Sequence, residues 1–159
     1  MISQKARYAI KALIALASAP PGAPVQTREI AERGGRIPRA FLEQILLDLK
    51  RHRVVESRRG KVGGYSLTRA PGDLSLGEIL RIVDGPIAPL SCLSRHYYRR
   101  CDDCDEEETC ALRLALMEAF EAQVATLERT TLADVLARVA AAKGDTSWEA
   151  PNSFVGAYI

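Results

Sequence analysis

The chain has only two histidines, His52 and His96, and neither stands in a pattern with a carboxylate and a nucleophile. Acid–base catalysis therefore has few groups to draw on, and neither a nucleophile motif nor a glycine-rich phosphate cradle supplies another route. The expectation is a protein that is not an enzyme. Long apolar runs are also missing, so no segment reaches the length of a membrane span. Lys5, Arg7 and Lys11 ahead of Leu13 to Ala19 have the outline of a secretory signal. That run is barely long enough, and Lys11 interrupts its approach. The same stretch places Ile2, Ala6, Ala9, Ile10, Leu13, Ile14 and Ala17 on one helical stripe, which reads as a folded first helix in a cytoplasmic protein. Internal repeats and low-complexity tracts are absent too, and a charged fraction of 26% is too ordinary for global disorder.

What is present is unevenly spread. The 159 residues carry a net charge of only +2. Through Asp73, 14 Lys/Arg face 6 Asp/Glu, a net of +8; from Leu74 on, 8 face 14, a net of −6. A basic half followed by an acidic half points to two tasks, with the basic half suited to a polyanion. An apolar share of 47% is enough for a packed core.

The pattern is mainly α with a small β-hairpin. After the first helix, the loop Pro20 to Pro24 leads to Thr27, a plausible N-cap for a short helix carrying Ile30 and Ala31. Gly34 and Gly35 stop it, Arg36 and Ile37 form a turn, and Pro38 suits the first position of the next helix. That helix should bury Phe41, Leu42, Ile45, Leu46 and Leu49. Two short helices around a glycine-containing turn are the helix-turn-helix pattern. Extended segments 54–57 and 65–68 flank a tip running from Arg58 to Gly64, so a basic β-hairpin, a wing, follows directly. The expected organisation is a winged helix-turn-helix over 1–73, a linking helix and cysteine loop over 74–110, helices over 111–142 and a mobile tail over 143–159. Ser75 and Glu78 form a capping box for the linking helix, and Thr131 with Asp134 opens the last one.

A helix that reads bases needs polar side chains at its N-terminal end and phosphate-binding groups around it. Arg36, Arg39, Glu43 and Gln44 meet the first need; Arg can pair with guanine, Gln with adenine, and Glu can accept from cytosine. Arg51, past the helix with Arg53, suits phosphates, and Arg58, Arg59 and Lys61 at the wing tip can reach the minor groove or its backbone. A merely solvated basic face is the bland alternative, and Glu43 can instead pair with Arg39 one turn back.

Cysteine is sparse but concentrated. Cys92, Cys101, Cys104 and Cys110 share one loop at spacings C-x8-C-x2-C-x5-C. In a reducing compartment four such thiols argue for metal or redox chemistry rather than disulfides. Zinc and iron–sulfur clusters both accept four sulfurs, and spacing alone does not choose between them. The crowd of carboxylates at 102, 103 and 105–108 should raise thiol pKa values, which a bound cation would offset. A purely structural site and a reversible thiol–disulfide pair are the other readings.

Ala6-Arg7-Tyr8-Ala9, Phe41 to Leu46, Arg58-Arg59-Gly60 with Gly63-Gly64-Tyr65, and Cys92 with Cys104-x5-Cys110 together resemble a known group. These motifs, spread over about Met1 to Ala142, are similar to the bacterial winged-helix transcription regulators of the IscR, NsrR and RirA family. The resemblance implies a homodimeric repressor or activator of a pseudo-palindromic DNA operator. A long helix after the cysteines would pair with its symmetry mate, and each cysteine loop would hold an iron–sulfur cluster. By similarity, Glu43, Gln44 and Arg59 would contact DNA, and Cys92, Cys104 and Cys110 would be ligands.

The chain departs from that pattern in places. Pro38-Arg39-Ala40 stands where relatives often carry Ser and Tyr. Relatives take a non-cysteine fourth ligand, and here Arg113 and Tyr8 stand near the two usual places. Cys101 is the additional thiol that would complete an all-cysteine site, favouring a [4Fe–4S] cluster or zinc over [2Fe–2S], with His96 as a reserve ligand. A small iron–sulfur electron-transfer protein is the competing reading from another class.

Overall fold

A computed structural model describes residues 2–60 and 62–144. The first helix, α1 (Gln4–Ala17), begins at Ser3, whose side chain accepts a hydrogen bond from the Ala6 amide. Its inner face is Ala6, Ala9, Ala12, Leu13, Ala15 and Leu16, all buried. Small alanines let neighbouring helices approach closely, and α1 packs against α2 (Thr27–Arg33), α3 (Arg39–Arg51), α4 (Leu76–Asp84) and α6 (Leu132–Gly144). Helix boundaries differ slightly from expectation. Gln26, not Thr27, precedes α2, and Pro38 sits one position before α3 rather than inside it.

The hairpin is β1 (Val55–Arg58) paired antiparallel with β2 (Gly64–Leu67), in the register Val55–Leu67 to Arg58–Gly64. Each strand lies one residue from its expected span. A third piece of backbone joins it: Val25 and Tyr65 exchange both amide–carbonyl bonds, at 2.8 and 2.9 Å. The wing is thereby clamped to the loop between α1 and α2, a contact the sequence did not announce. Gly64 is required there because a Cβ would run into the Val25 carbonyl.

The 3₁₀ turn Pro71–Asp73 leads straight back into the same core. Leu74, Ile79, Leu80, Val83 and Leu132 are buried with the α1–α3 residues in one continuous cluster. Ser75 caps α4 through the Glu78 amide, as its capping box predicts, and Gly85 ends it with φ +81°. Backbone bonds from Leu76 to the Thr130 carbonyl (2.9 Å) and from Leu132 to the Leu74 carbonyl (2.8 Å) stitch the start of α4 to the start of α6. Between α4 and α5 (Ala111–Arg129) runs the cysteine loop, with a short 3₁₀ turn at Ser91–Leu93. Of α5 only Phe120 is buried; Leu116, Val124 and Leu127 are half-buried and Leu112 is exposed. Most of the expected tail lies outside the described residues.

Gly64→Ala should lower stability by about 1–3 kcal/mol, the usual cost of overpacking a closed site. Gly72→Ala, where an added Cβ meets nothing within 4 Å, should stay within about 0.5 kcal/mol of the parent. Urea unfolding of the two variants side by side checks the wing clamp.

Candidate nucleic-acid interface and cysteine loop

Helix α3 separates its residues cleanly. Leu42, Ile45, Leu46 and Leu49 are fully buried, while Arg39, Ala40, Glu43, Gln44, Leu47, Lys50 and Arg51 are exposed. Phe41, expected in the buried stripe, is instead 49% exposed. It lies at the stripe's edge and meets the Tyr8 ring edge-on, centroids 5.8 Å apart, so α1 covers it on one side only.

The polar groups of this helix are internally paired. Arg39 donates to Glu43 at 2.8 Å, the one-turn pair that their spacing allows. Gln44 donates to Asp48 at 3.2 Å, and Arg51 does the same at 3.2 Å. Lys5 of α1 reaches the other Asp48 oxygen at 2.8 Å. Asp48 thus anchors the recognition-type helix to the first helix, and the Lys5 hydrogen bond holds its carboxyl below the ordinary carboxylate range against the opposing effect of burial. Helical spacing makes the Gln44 and Arg51 partners legible in the sequence. Lys5, 43 positions away, carries no such signal.

The surrounding cations stand in solvent. Arg36 occupies the turn before α3 with φ +62°, and Arg53 follows it with φ +54°. Lys50 donates to Ser57 at 2.6 Å, joining α3 to the first strand of the wing. On the wing, Arg58 pairs with Glu56 at 3.2 Å, and Arg59 is exposed beside Gly60. Lys61 lies outside the described residues.

The four cysteines are all free. Cys92 is buried in the turn Ser91–Leu93, and Cys110 directly precedes α5, with its carbonyl accepting from Leu114 at 3.0 Å. Cys101 neighbours Cys92, and Cys104 neighbours both Cys110 and Cys101. The neighbouring Cys92 is the main influence raising the Cys101 pKa, followed by burial. Burial raises that of Cys104 first, followed by its neighbour Cys110. The direction matches the expectation, but the acidic residues contribute little. Glu107 accepts from Tyr98 at 2.6 Å and lies 3.6 Å from Arg113, and Glu106 accepts from Thr109 at 2.9 Å.

Two arginines brace the loop. Arg113 donates to the Cys92 carbonyl at 2.7 Å, and Arg100 donates to the carbonyls of Cys104 and Asp105 at 3.0 and 2.8 Å. His96 stands in a cavity of about 400 Å³, lined also by Arg81, Phe120 and Glu128, whose lining includes no cysteine.

The donor set suits a thiophilic metal or cluster in kind, as four unbridged thiols in one stretch. Among the described residues, however, no three Cys, His, Asp or Glu side chains gather closely enough to hold a metal ion.

Residues 2–138 match the Rrf2 family, described as iron-dependent transcriptional regulators. The chain belongs to the Rrf2 family. An rrf2-like HTH-type protein of Rhodobacter capsulatus is 48% identical over 142 residues, covering 86% of this chain and 93% of that protein. The HTH-type transcriptional regulator CymR of Bacillus subtilis is 31% identical over 134 residues, covering 84% and 88%. Among solved structures, B. subtilis CymR superposes with a TM-score of 0.71 at 29% identity, covering 87% of this chain and 97% of that one. T. potens IscR gives 0.66 at 28% identity, covering 87% and 88%.

The Rrf2 fold and family bear out the winged-helix regulator expected from the motifs, and they set aside the electron-transfer reading. The chain is a DNA-binding transcriptional regulator of the helix-turn-helix type, and it is not an enzyme. Among the described residues no helix is long and apolar enough to cross a membrane.

Asp48 gives this Rrf2 protein a pH signature. A carboxylate with a depressed folded-state pKa adds stability above its unfolded value, about 3.9, and loses it as pH falls through the lower folded value. Asp48→Asn should therefore melt below the parent at pH 7. The gap should close as the pH falls from the unfolded value through the lower folded one, which thermal melts across the acid range would read.

Proposed function

We propose that this Rrf2 protein is a homodimeric cytoplasmic repressor whose cysteine loop senses iron–sulfur, redox or nitric-oxide status. The observation that carries the DNA half of the reading is the exposed face of α3 standing beside the basic wing, joined to it by Lys50 and Ser57. In a duplex complex α3 enters the major groove. Glu43 and Gln44, with Arg39 and Arg36 at the entry, then face base edges, while Arg51, Arg58, Arg59 and Lys61 lie along phosphates. Arg39 and Gln44 must leave their partners on the helix to do so. The Arg39–Glu43 pair is highly exposed and weak in water, and Asp48 keeps Lys5 and Arg51 when Gln44 leaves, so the release costs little.

The dimer is supported by α5. Leu112 and Leu114 are 56% and 54% exposed on a helix that buries only Phe120 against its own chain. Pairing that surface with a second copy would fix the separation of two α3 helices on a pseudo-palindrome.

Cys92, Cys101, Cys104 and Cys110 are the residues that would hold a cluster, [4Fe–4S] in preference to [2Fe–2S] or zinc. Such a group would supply reactivity toward oxidants and nitric oxide. The protein's own part is mechanical. Cys110 abuts the first residue of α5, and Arg113 of that helix grips the Cys92 carbonyl. Any rearrangement of the loop therefore pulls on α5 and shifts the balance between two spacings of the readers. The relatives support DNA regulation generally, since IscR and CymR are both among them.

Anaerobic purification followed by iron, sulfide and zinc analysis tests the sensor. Iron and sulfide with a brown chromophore, and duplex binding that changes on chelation, are expected. Stoichiometric zinc, or bare thiols forming Cys92–Cys101 and Cys104–Cys110 disulfides, would replace the cluster reading with a structural metal or a thiol switch.

A further inference from the structure

The centre of the solvent face of α3 is occupied by a leucine. Leu47 is 42% exposed and stands outside the core cluster. Single exposed leucines are common on protein surfaces and ordinarily need no explanation. The position of this one does. Helical spacing puts Leu47 three residues after Gln44, four after Glu43 and seven after Ala40, on the side opposite Leu42, Ile45, Leu46 and Leu49.

Its polar neighbours are all engaged: Glu43 with Arg39, Gln44 and Arg51 with Asp48, and Lys50 with Ser57. Ala40, also exposed, continues the apolar line one turn beyond Gln44. Ala40 and Leu47 thus form an apolar line on the face aimed away from the core, flanked by Glu43 and Lys50 on one side and by Gln44 and Arg51 on the other.

Resting on the DNA-binding reading above, we propose that Leu47 is a specificity-determining residue that reads the 5-methyl group of a thymine in the major groove. The major groove presents hydrogen-bonding edges and one apolar group, the thymine methyl. A helix inserted with its charged flanks toward the two phosphate strands brings its midline against the base edges. Leu47 offers no donor or acceptor, so it gains nothing from a polar edge and loses the water around its methyls wherever it lands. Burial against a methyl group is the contact that rewards it, and a cytosine at that position offers none. The neighbouring Gln44 supplies the complementary polar reading, so the pair discriminates by two independent chemistries.

The test uses full-length protein and a duplex selected from a random pool. Each thymine of one half-site is replaced in turn by deoxyuridine, which deletes only the methyl group. The parent protein should lose about fourfold in affinity, the equivalent of one buried methyl, at one such position. The L47A variant should bind the thymine and deoxyuridine duplexes alike at that position, and L47M should restore the difference. Leu47 lies outside the core, so L47A should melt with the parent. A deoxyuridine penalty that persists undiminished in L47A, or no penalty at any thymine, would overturn the proposal while leaving DNA binding intact. Failure of the parent to select any duplex would overturn the DNA-binding reading itself.

Discussion

The close packing of α1 against four other helices is the constraint on which the rest of this molecule depends. Ala6, Ala9 and Ala12 have no exposed surface, and Ala15 has almost none. A larger side chain at any of them would push a neighbouring helix away, because packed interiors do not absorb extra volume freely. Because α1 contacts both α3 and α4, it holds α3 and the helix that leads to the cysteine loop in one frame. Lys5 and Asp48 add a polar tie at the same contact, and Ser3 adds another to Asp84 at the end of α4, at 2.5 Å.

That frame explains how a chain split into basic and acidic halves can act as one device. The basic face of α3 and the wing project from the frame on one hand. On the other, α4 delivers the chain into the cysteine loop, and α5 leaves it with most of its apolar surface uncovered. The salt bridge of Arg81 with Glu128 and the backbone bonds around Leu74 and Leu132 return α5 and α6 to the same core. The cysteine loop is thereby linked to α3 through α5 and α4.

Much of this was legible in residue patterns. The α1 stripe, the glycine stop before α3, the Ser75 capping box and the glycine-flanked hairpin each state a local rule, and local rules hold wherever no distant contact competes. Contacts distant in sequence were not legible. Nothing near Val25 signals that it would pair with Tyr65, and nothing near Lys5 signals Asp48. Phe41 has the right spacing for the core, yet its neighbour across the contact is Tyr8 at the surface, so periodicity alone misplaced it. The thiols reverse the usual order. Their identity and spacing named the cluster of residues, while which thiols neighbour one another, and the small part the acidic residues play, required three dimensions.

Electrostatic engagement of a duplex by the α3 and wing surface is the claim on which the functional reading rests. Its most direct measure is the salt dependence of binding to one duplex by the parent protein and by Arg59→Ala. Removing one cation from a phosphate should flatten the slope of log K against log salt by about 0.9, with affinity falling for all sequences alike. A slope for Arg59→Ala equal to the parent's would contradict the wing's place on the phosphate backbone.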